Sequence, residues 1–387
     1  MVAGSPSRSQ TASSHGVQAR FATLFGASLG AHLPFIVLIG LYSLAAQLTI
    51  GRMEGIVKSS FSTSIIDFVV VTVPILFLAV LTMRFVHLVL NERPASPLLA
   101  LYEDMKAYLG DPVRLAAALP MILTLIAFFR TFTLIKANIP AVQPFVWDGA
   151  FIELDRVLHF GRQPWEWLQP VLGYGPVTFL ISFLYNLWFI VMWIFWVWFA
   201  FDKEDWHLRS RFFLSFILIW IIGGGLLAVG FSSAGPCYLA SLGMDDSEFA
   251  GLMAYLHNVS SSGLPLMALD VQQMLWDGYV LKTGAGGGIS AMPSLHNASA
   301  LLFALAAWRL NRVAGILASI FAGIIFIGSV HLGWHYAVDG YVGFALALAV
   351  WWASKPLATW MDGLSFTRRF LILRGQSGDR APSTPSQ

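Results

Sequence analysis

The feature that most constrains this chain is the recurrence of apolar runs long enough to cross a lipid bilayer. A transmembrane helix needs about 20 predominantly apolar residues, and several stretches of the 387-residue sequence reach that length. Charged residues make up only 11% of the chain, whereas a soluble domain has about 25%. The mean hydropathy is correspondingly high, at +0.69. The sequence therefore predicts an all-α, polytopic membrane protein.

Windows of apolar residues predict about eight transmembrane helices and two helices on the membrane surface. The predicted spans are 24–48, 61–83, 114–135, 177–201, 212–231, 298–310, 313–330 and 340–358. Residues 96–110 have an apolar stripe with helical spacing, which predicts an interfacial helix. Residues 147–175 predict another, because Trp165 and Trp167 suit the headgroup layer. The long segment 232–297 is predicted to be a loop.

These spans divide the chain into four parts. Residues 1–23 are predicted to be a disordered cytoplasmic tail, and 24–112 two additional transmembrane helices with the cytoplasmic interfacial segment. Residues 113–358 hold the remaining spans, and 359–387 a partly disordered cytoplasmic tail. We expect no cleavable signal peptide, because no compact apolar region with a small-residue cleavage site lies near residue 1. The single cysteine, Cys237, excludes an intrachain disulfide.

The distribution of charge predicts which side of the membrane each loop occupies. Eight spans place both termini on one side, and that side carries 16 of the 23 Lys and Arg residues. The positive-inside rule makes it cytoplasmic. His296, His331, His335 and Asp339 then lie together on the opposite face. A net charge of +2 without a basic stripe argues against a nucleic-acid partner.

Three of these residues form a pattern that predicts catalysis. His335 and Asp339 are four residues apart, so on a helix they would share a face and form a hydrogen bond. An aspartate that accepts from one imidazole nitrogen leaves the other nitrogen basic and oriented. An aspartate inside a membrane costs roughly 2.5–3.5 kcal/mol, which favours a functional role. His296, at the start of another span, is the candidate acid. The alternative is that each histidine only bonds a neighbouring helix.

Other interpretations of the same residues remain open at this point. His331, His335 and Asp339 form an i, i+4, i+8 stripe that could ligate Zn²⁺ or Fe²⁺, but no HExxH motif accompanies it. A lipid or solute transporter could use the histidines to bind a headgroup or relay protons, although the sequence lacks the internal symmetry of many transporters. The glycine-rich segment 283–290 could approach an anion through backbone N–H groups or be a flexible turn. We predict an enzyme without metal or other cofactor.

The motifs "AMPSLH" (291–296) and "HYAVD" (335–339) resemble those of the type 2 phosphatidic acid phosphatase superfamily. In that superfamily a PS-G/L-H motif opens one core helix and an H-x3-D motif follows near the next one. The sequence is more similar to the inositolphosphotransferase branch, which includes inositol phosphorylceramide synthase, because it has "PSLH" and because "AGPCY" (234–238) resembles that branch's upstream motif. The resemblance covers 113–358 and implies a six-helix catalytic core.

The resemblance also implies roles for individual residues. His335 would attack phosphorus and form a phosphohistidine, Asp339 would orient it, and His296 would protonate the leaving oxygen. Ser294 is a candidate donor to a phosphoryl oxygen. The implied activity is a metal-independent lipid phosphotransferase of the inositol-phosphate type. The alternative within the superfamily is a lipid phosphate phosphatase.

Two departures from the family pattern leave the phosphate ligands open. Phosphatases of the superfamily have a Lys-x6-Arg-Pro motif, which is missing from the outer face of this chain, and an arginine six residues before the nucleophile, where this chain has Ser329. Lys282, Arg130 and Lys136 are the candidate cations. For the last two, snorkelling of the side chain towards the interface is the alternative.

The expected partners follow from the same interpretation. They are a membrane lipid donor and a small polyol or water as acceptor, with the oligomeric state left open. Asp148 and Asp155 are candidates for binding a polyol, and the alternative is that they only solvate a helix surface. Short loops and the single cysteine suit a bacterial inner membrane, which would place the site on the periplasmic side.

Overall fold

The computed structural model describes residues 8–53, 56–57, 77–78, 81–82, 84–284 and 287–375. Within these residues the secondary structure is entirely helical, which confirms the predicted fold class. The predicted span 61–83 lies almost wholly outside the described residues. The main helices, labelled in chain order, are α1 Arg8–Ala31, α2 Leu33–Thr49, α3 Pro97–Leu109, α4 Pro112–Ala137, α5 Asp148–Leu158, α6 Pro164–Leu172, α7 Gly175–Asn186, α8 Trp188–Phe201, α9 Trp206–Gly230, α10 Ala250–Ser261, α11 Met267–Val280, α12 Leu295–Leu310, α13 Arg312–His331, α14 Ala337–Gly363 and α15 Ser365–Gly375.

Short helical segments complete the described secondary structure. They are Ile50–Arg52, Leu88–Glu92, Ile139–Val142, Pro236–Tyr238 and Ala240–Leu242.

Six helical stretches of the described chain are long and apolar enough to cross a membrane. They are α2 with its extension to Arg52, α4, α7 with α8, α9, α13 and α14. Helix α12 covers the predicted span 298–310 but has only 16 residues, fewer than the about 20 that a straight crossing needs. The protein is therefore an integral membrane protein, and these six stretches overlap six of the eight predicted spans.

The N-terminal region differs from the prediction in two ways. Helix α1 begins at Arg8, so residues 8–23 are helical and do not form a disordered tail. The single span predicted over 24–48 is two helices that meet at His32. Pro34 explains the break, because proline cannot donate to the preceding turn and its ring clashes with it.

Two further segments contain more helix than expected. The predicted loop 232–297 contains α10 and α11, and α10 forms because Leu252, Leu256 and Val259 make one buried stripe. The predicted surface helix over 147–175 is a pair, α5 and α6. These two helices are separated by a turn in which Phe160 and Gly161 have φ values of 61° and 84°.

The fold brings the first turns of α12 and α14 into direct contact. The backbone N–H of Ser294, before α12, donates to the carbonyl of Asp339 in α14 at 3.0 Å. A Cβ on Gly343 would lie 2.7 Å from the Ser294 carbonyl oxygen, so only glycine allows this approach. Small residues at helix contacts are the usual means of close packing in membranes. The two histidine motifs therefore meet although they are 40 residues apart.

Candidate active site

His335 and Asp339 form the predicted hydrogen bond, but they do not share a helix. His335 precedes Tyr336, the N-cap of α14, and Asp339 lies in the first turn. One carboxylate oxygen of Asp339, Oδ2, accepts from His335 Nδ1 and from the Tyr336 backbone N–H, both at 3.1 Å. The assumption of one continuous helix was wrong. The pair forms because the carboxylate reaches back to donors that a helix N-terminus leaves unsatisfied.

The surroundings of His335 hold its backbone and leave its ring partly accessible. The carbonyl of Ser329 accepts from the backbone N–H groups of Trp334 and His335, each at 3.0 Å. Asp339 is fully buried, whereas His335 is 8% exposed. Because Nδ1 donates to the carboxylate, Nε2 is the nitrogen without a proton and is free to act as nucleophile or base.

His296 is the second residue of α12 and is held by aromatic rings. Its imidazole is stacked on Tyr185, with ring centroids 5.0 Å apart, and lies 4.2 Å from the ring centroid of Trp188. Trp188 Nε1 also donates to the His296 carbonyl at 3.2 Å. Ser294 caps the helix by accepting from the Asn297 backbone N–H. His296 is within electrostatic range of His335 and Lys136, so the predicted pair of imidazoles lies in one site.

Of the three candidate cations, Lys136 is partly buried and acts electrostatically on His296. Lys136 lies in the last turn of α4, and the glycine-rich segment packs on it: a Cβ at Gly288 would be 2.7 Å from the Lys136 carbonyl oxygen. Arg130 and Lys282 are both exposed. Within the described residues, neither one forms a hydrogen bond or ion pair with the histidines.

Asp148 has a different position from the one its sequence context suggested. It is 1% exposed. Its carboxylate accepts from the backbone N–H groups of Ala234 and Gly235 and, at 2.8 Å, from the Tyr336 hydroxyl. It therefore ties the "AGPCY" loop to the residue that follows His335. The carboxylate is neither solvated nor open to a polyol.

Asp155 has the same kind of position two helical turns further along α5. It is also 1% exposed. It accepts from the first backbone N–H groups of α14, those of Ala337 at 2.7 Å and Val338 at 2.9 Å. Burial raises the pKa of Asp155 to about 6, although the two N–H groups partly oppose that rise. Both aspartates thus hold the surface helix against the catalytic segment and do not face a ligand.

His331 does not join the site, so the three-residue metal stripe is not formed. Helix α13 ends at His331, and the ring shares a 2.9 Å hydrogen bond with Thr178 of α7. His335 follows in the turn before the next helix, so the i, i+4 geometry is lost. Among the residues that the structure describes, no three His, Cys, Asp or Glu side chains converge as a metal site would require.

Sequence reasoning missed the aromatic residues around His296 and the amide beside it. Asn297 donates from Nδ2 to the Ser329 hydroxyl at 3.2 Å, which links α12 to α13. Trp188 carried a usable signal: it lies in the middle of an apolar span, whereas tryptophan prefers the membrane interfaces. A tryptophan at that depth indicates a specific contact within the protein.

The described helices thus place a histidine bonded to a buried carboxylate and a second histidine at the starts of two helices in contact, as the two motifs predicted. The family comparison agrees: a family model of the PAP2 superfamily matches residues 149–353, more than half of the chain. The chain belongs to the PAP2 superfamily, as the motifs predicted. Membership supports an enzyme of the phosphatase or phosphotransferase type acting on lipid phosphates. Neither the comparison with curated proteins nor the comparison with solved structures found a match.

Proposed function

We propose that this protein is a lipid headgroup phosphotransferase of the inositol-phosphate type, which acts through a phosphohistidine on His335. The observation that carries the proposal is the bond from His335 Nδ1 to the fully buried Asp339, on a segment that also lies within electrostatic range of His296. That arrangement supplies one nucleophile, one orienting group and one acid–base group. These are the three parts that a two-step transfer needs.

In the first step, His335 Nε2 attacks the phosphorus of the lipid donor. The N–P bond forms while the P–O bond to the leaving alcohol breaks, and His296 gives its proton to that oxygen. In the second step, His296 takes the proton of the acceptor hydroxyl, whose oxygen attacks phosphorus. The N–P bond then breaks, and both histidines return to their starting states.

Charge around the reacting phosphorus favours a diester donor. The transition state places negative charge on the phosphoryl oxygens and needs cations or N–H donors. Lys136 and the first turn of α12, whose leading N–H groups have no acceptor within the helix, are available here, with Ser294 beside them. A phosphodiester carries one negative charge and a phosphomonoester close to two. A site with one nearby lysine therefore suits the diester.

The surface helices α5 and α6 support a substrate that stays in the bilayer. Phe160 is 91% exposed and Trp167 51% exposed at the turn between them. Such residues lie at headgroup depth in membrane proteins. Together with the excess of Lys and Arg on the opposite side, this favours a site at the periplasmic face of a bacterial inner membrane. The headgroup would reach the histidines while the acyl chains remain in lipid.

The decisive experiment uses a phospholipid with a labelled headgroup phosphate and the full-length protein in detergent or liposomes. We expect a labelled protein adduct that is stable to base and labile to acid, and transfer of the label to an added polyol. The adduct should be missing in His335→Ala. Turnover should continue at the same rate when a metal chelator is added.

Other outcomes of that experiment have defined meanings. Release of labelled phosphate to water alone would make the protein a phosphatase. No adduct and no turnover, with pH-dependent movement of lipid or solute across liposomes, would indicate a transporter and overturn the proposal.

A further inference from the structure

Helix α9 contains three consecutive glycines that the proposed mechanism does not use. They lie in a π-helical turn, Ile222–Leu227, inside an otherwise regular transmembrane helix. Glycine in a helix interior is destabilising relative to alanine. π-turns are frequently found at functional sites. Both facts call for a specific contact at this turn.

Two of the glycines provide space for Leu295, the residue between Ser294 and His296. A Cβ on Gly224 would lie 2.6 Å from Leu295 Cδ1 and 2.5 Å from Phe132 Cε2, closer than such atoms can approach. A Cβ on Gly223 would lie 3.1 Å from Leu295 Cδ2. Leu295 thus occupies part of the volume that another residue at either position would need, together with Leu346 at position 223 and Phe132 at position 224.

The third glycine of the turn has more space around it than the other two. A Cβ on Gly225 would meet nothing closer than the Tyr42 hydroxyl at 3.6 Å, an ordinary contact. Gly225 is therefore a matched control in the same turn, with the same change in backbone propensity.

The first turn of α12 has no room to yield on its other side. There the Ser294 carbonyl lies 2.7 Å from the position of a Cβ on Gly343 of α14. A side chain added at 224 must push Leu295, and Leu295 is joined directly to His296. The space on α9 and the backbone contact on α14 fix the segment that carries His296, and Tyr185 and Trp188 pack against its ring.

We propose that Gly223 and Gly224 are positioning residues for His296: they accommodate Leu295 and so set the distance between the imidazoles of His296 and His335. The inference rests on the proposed function, because it assigns the glycines to the acid–base step. Displacement of a catalytic group by about 1 Å can cost about 100-fold in rate.

The test is a double-mutant cycle on the full-length protein. We expect Gly224→Ala to lower kcat about 100-fold with little change in KM, and Gly225→Ala to leave kcat within a few-fold of the wild type. Leu295→Ala removes one of the two side chains that would clash and Phe132→Leu shortens the other, so Gly224→Ala/Leu295→Ala should regain more of the lost kcat than Gly224→Ala/Phe132→Leu. Equal recovery in the two double variants, or equal losses in Gly224→Ala and Gly225→Ala, would overturn the inference.

A second measurement separates this inference from the proposed function. With ¹⁵N-histidine labelling, the His296 ring signals, identified by their loss in His296→Gln, should shift in Gly224→Ala and return in the double variant. Gly225→Ala should leave them in place. If the wild type transfers no phosphoryl group, the proposed function fails, whereas these spectra still decide whether the glycines position His296. Unchanged signals in Gly224→Ala would exclude that role.

Discussion

Two buried histidines, at opposite ends of the molecule, lie just before a transmembrane helix. His32 is the N-cap of α2 and is fully buried, and His335 directly precedes the N-cap of α14 and is 8% exposed. The nitrogens of His32 are both occupied: Nδ1 bonds the Ser28 carbonyl at 2.7 Å and Nε2 bonds Arg209 at 3.1 Å. His335 uses Nδ1 for Asp339, and among the described residues its Nε2 has no hydrogen-bond partner.

The comparison shows that burial and position in sequence do not distinguish a reactive histidine from a structural one. Arg209 can only donate, so His32 must accept with Nε2 and donate with Nδ1, which leaves no free lone pair. Arg209 is itself packed over the Trp206 ring at 4.5 Å and donates to the Ala117 carbonyl. Both nitrogens of His32 are therefore bonded, although Nε and Nη1 of Arg209 are buried without a partner, whereas His335 keeps one nitrogen free.

The largest effect should separate these two histidines directly. His335→Ala should lower turnover by about 10⁴-fold or more, because the nucleophile is lost. His32→Ala should keep turnover per folded molecule near the wild type and lower the unfolding temperature, because Arg209 loses an acceptor. Initial rates and thermal unfolding of the two purified variants test both statements. An equal loss of turnover in His335→Ala and His32→Ala would contradict the proposed difference between the two histidines.

The Asp339→Asn variant tests whether the orientation of the His335 ring affects kcat as strongly as the presence of the ring does. An amide at 339 can donate to the imidazole and favour the tautomer with the proton on Nε2, so we expect kcat to fall about 10³–10⁴-fold. Steady-state kinetics with an unfolding curve measure this. A loss of less than about tenfold, at normal stability, would show that the carboxylate does not control the tautomer.

Lys136 and Arg130 offer a matched pair of cations on α4. Lys136→Met should lower kcat/KM about 100-fold, because a charge that stabilises the phosphoryl oxygens is removed. Arg130→Met should change it little, because Arg130 is exposed and has no described bond to the site. Transfer rates of both variants are measured with the phospholipid that carries the labelled headgroup phosphate. A larger loss of kcat/KM in Arg130→Met than in Lys136→Met would indicate that the phosphate binds nearer to Arg130.

The smallest effect concerns the pH dependence of stability, and it arises at Asp155, near the His335 end of the molecule. Burial raises the pKa of Asp155 to about 6, above an unfolded value of about 3.9, so the bound proton favours the folded state. Between these values stability should fall as pH rises, relative to Asp155→Asn, and the difference should level off above about pH 6. Unfolding temperatures of both proteins across this range should differ by a few degrees. Identical pH profiles for the two proteins would contradict this prediction.

Much of the site could be predicted because its chemistry is carried by short motifs. His335, Asp339, His296 and Ser294 were each identified from spacing and family resemblance, and the structure brings them together. Asp148 and Asp155 were misjudged, because a carboxylate in a surface helix has the same sequence whether it faces water or the N–H groups of another segment. The helices α10 and α11 were missed because their apolar stripes are short and lack the continuous hydrophobicity of a span.

The sequence alone determined that the chain crosses a membrane, because apolar length and scarcity of charge leave a bilayer as the only solvent in which such helices are stable. It also predicted which residues carry the chemistry, since a histidine and an aspartate at that spacing are costly to keep in lipid without a use. Only the tertiary structure decided that His335 lies outside the helix of Asp339, that Lys136 is partly buried near His296 whereas Arg130 is exposed, and that the missing side chain of Gly224 leaves room for Leu295. These depend on contacts between segments far apart in sequence, and local patterns carry no information about which segments meet.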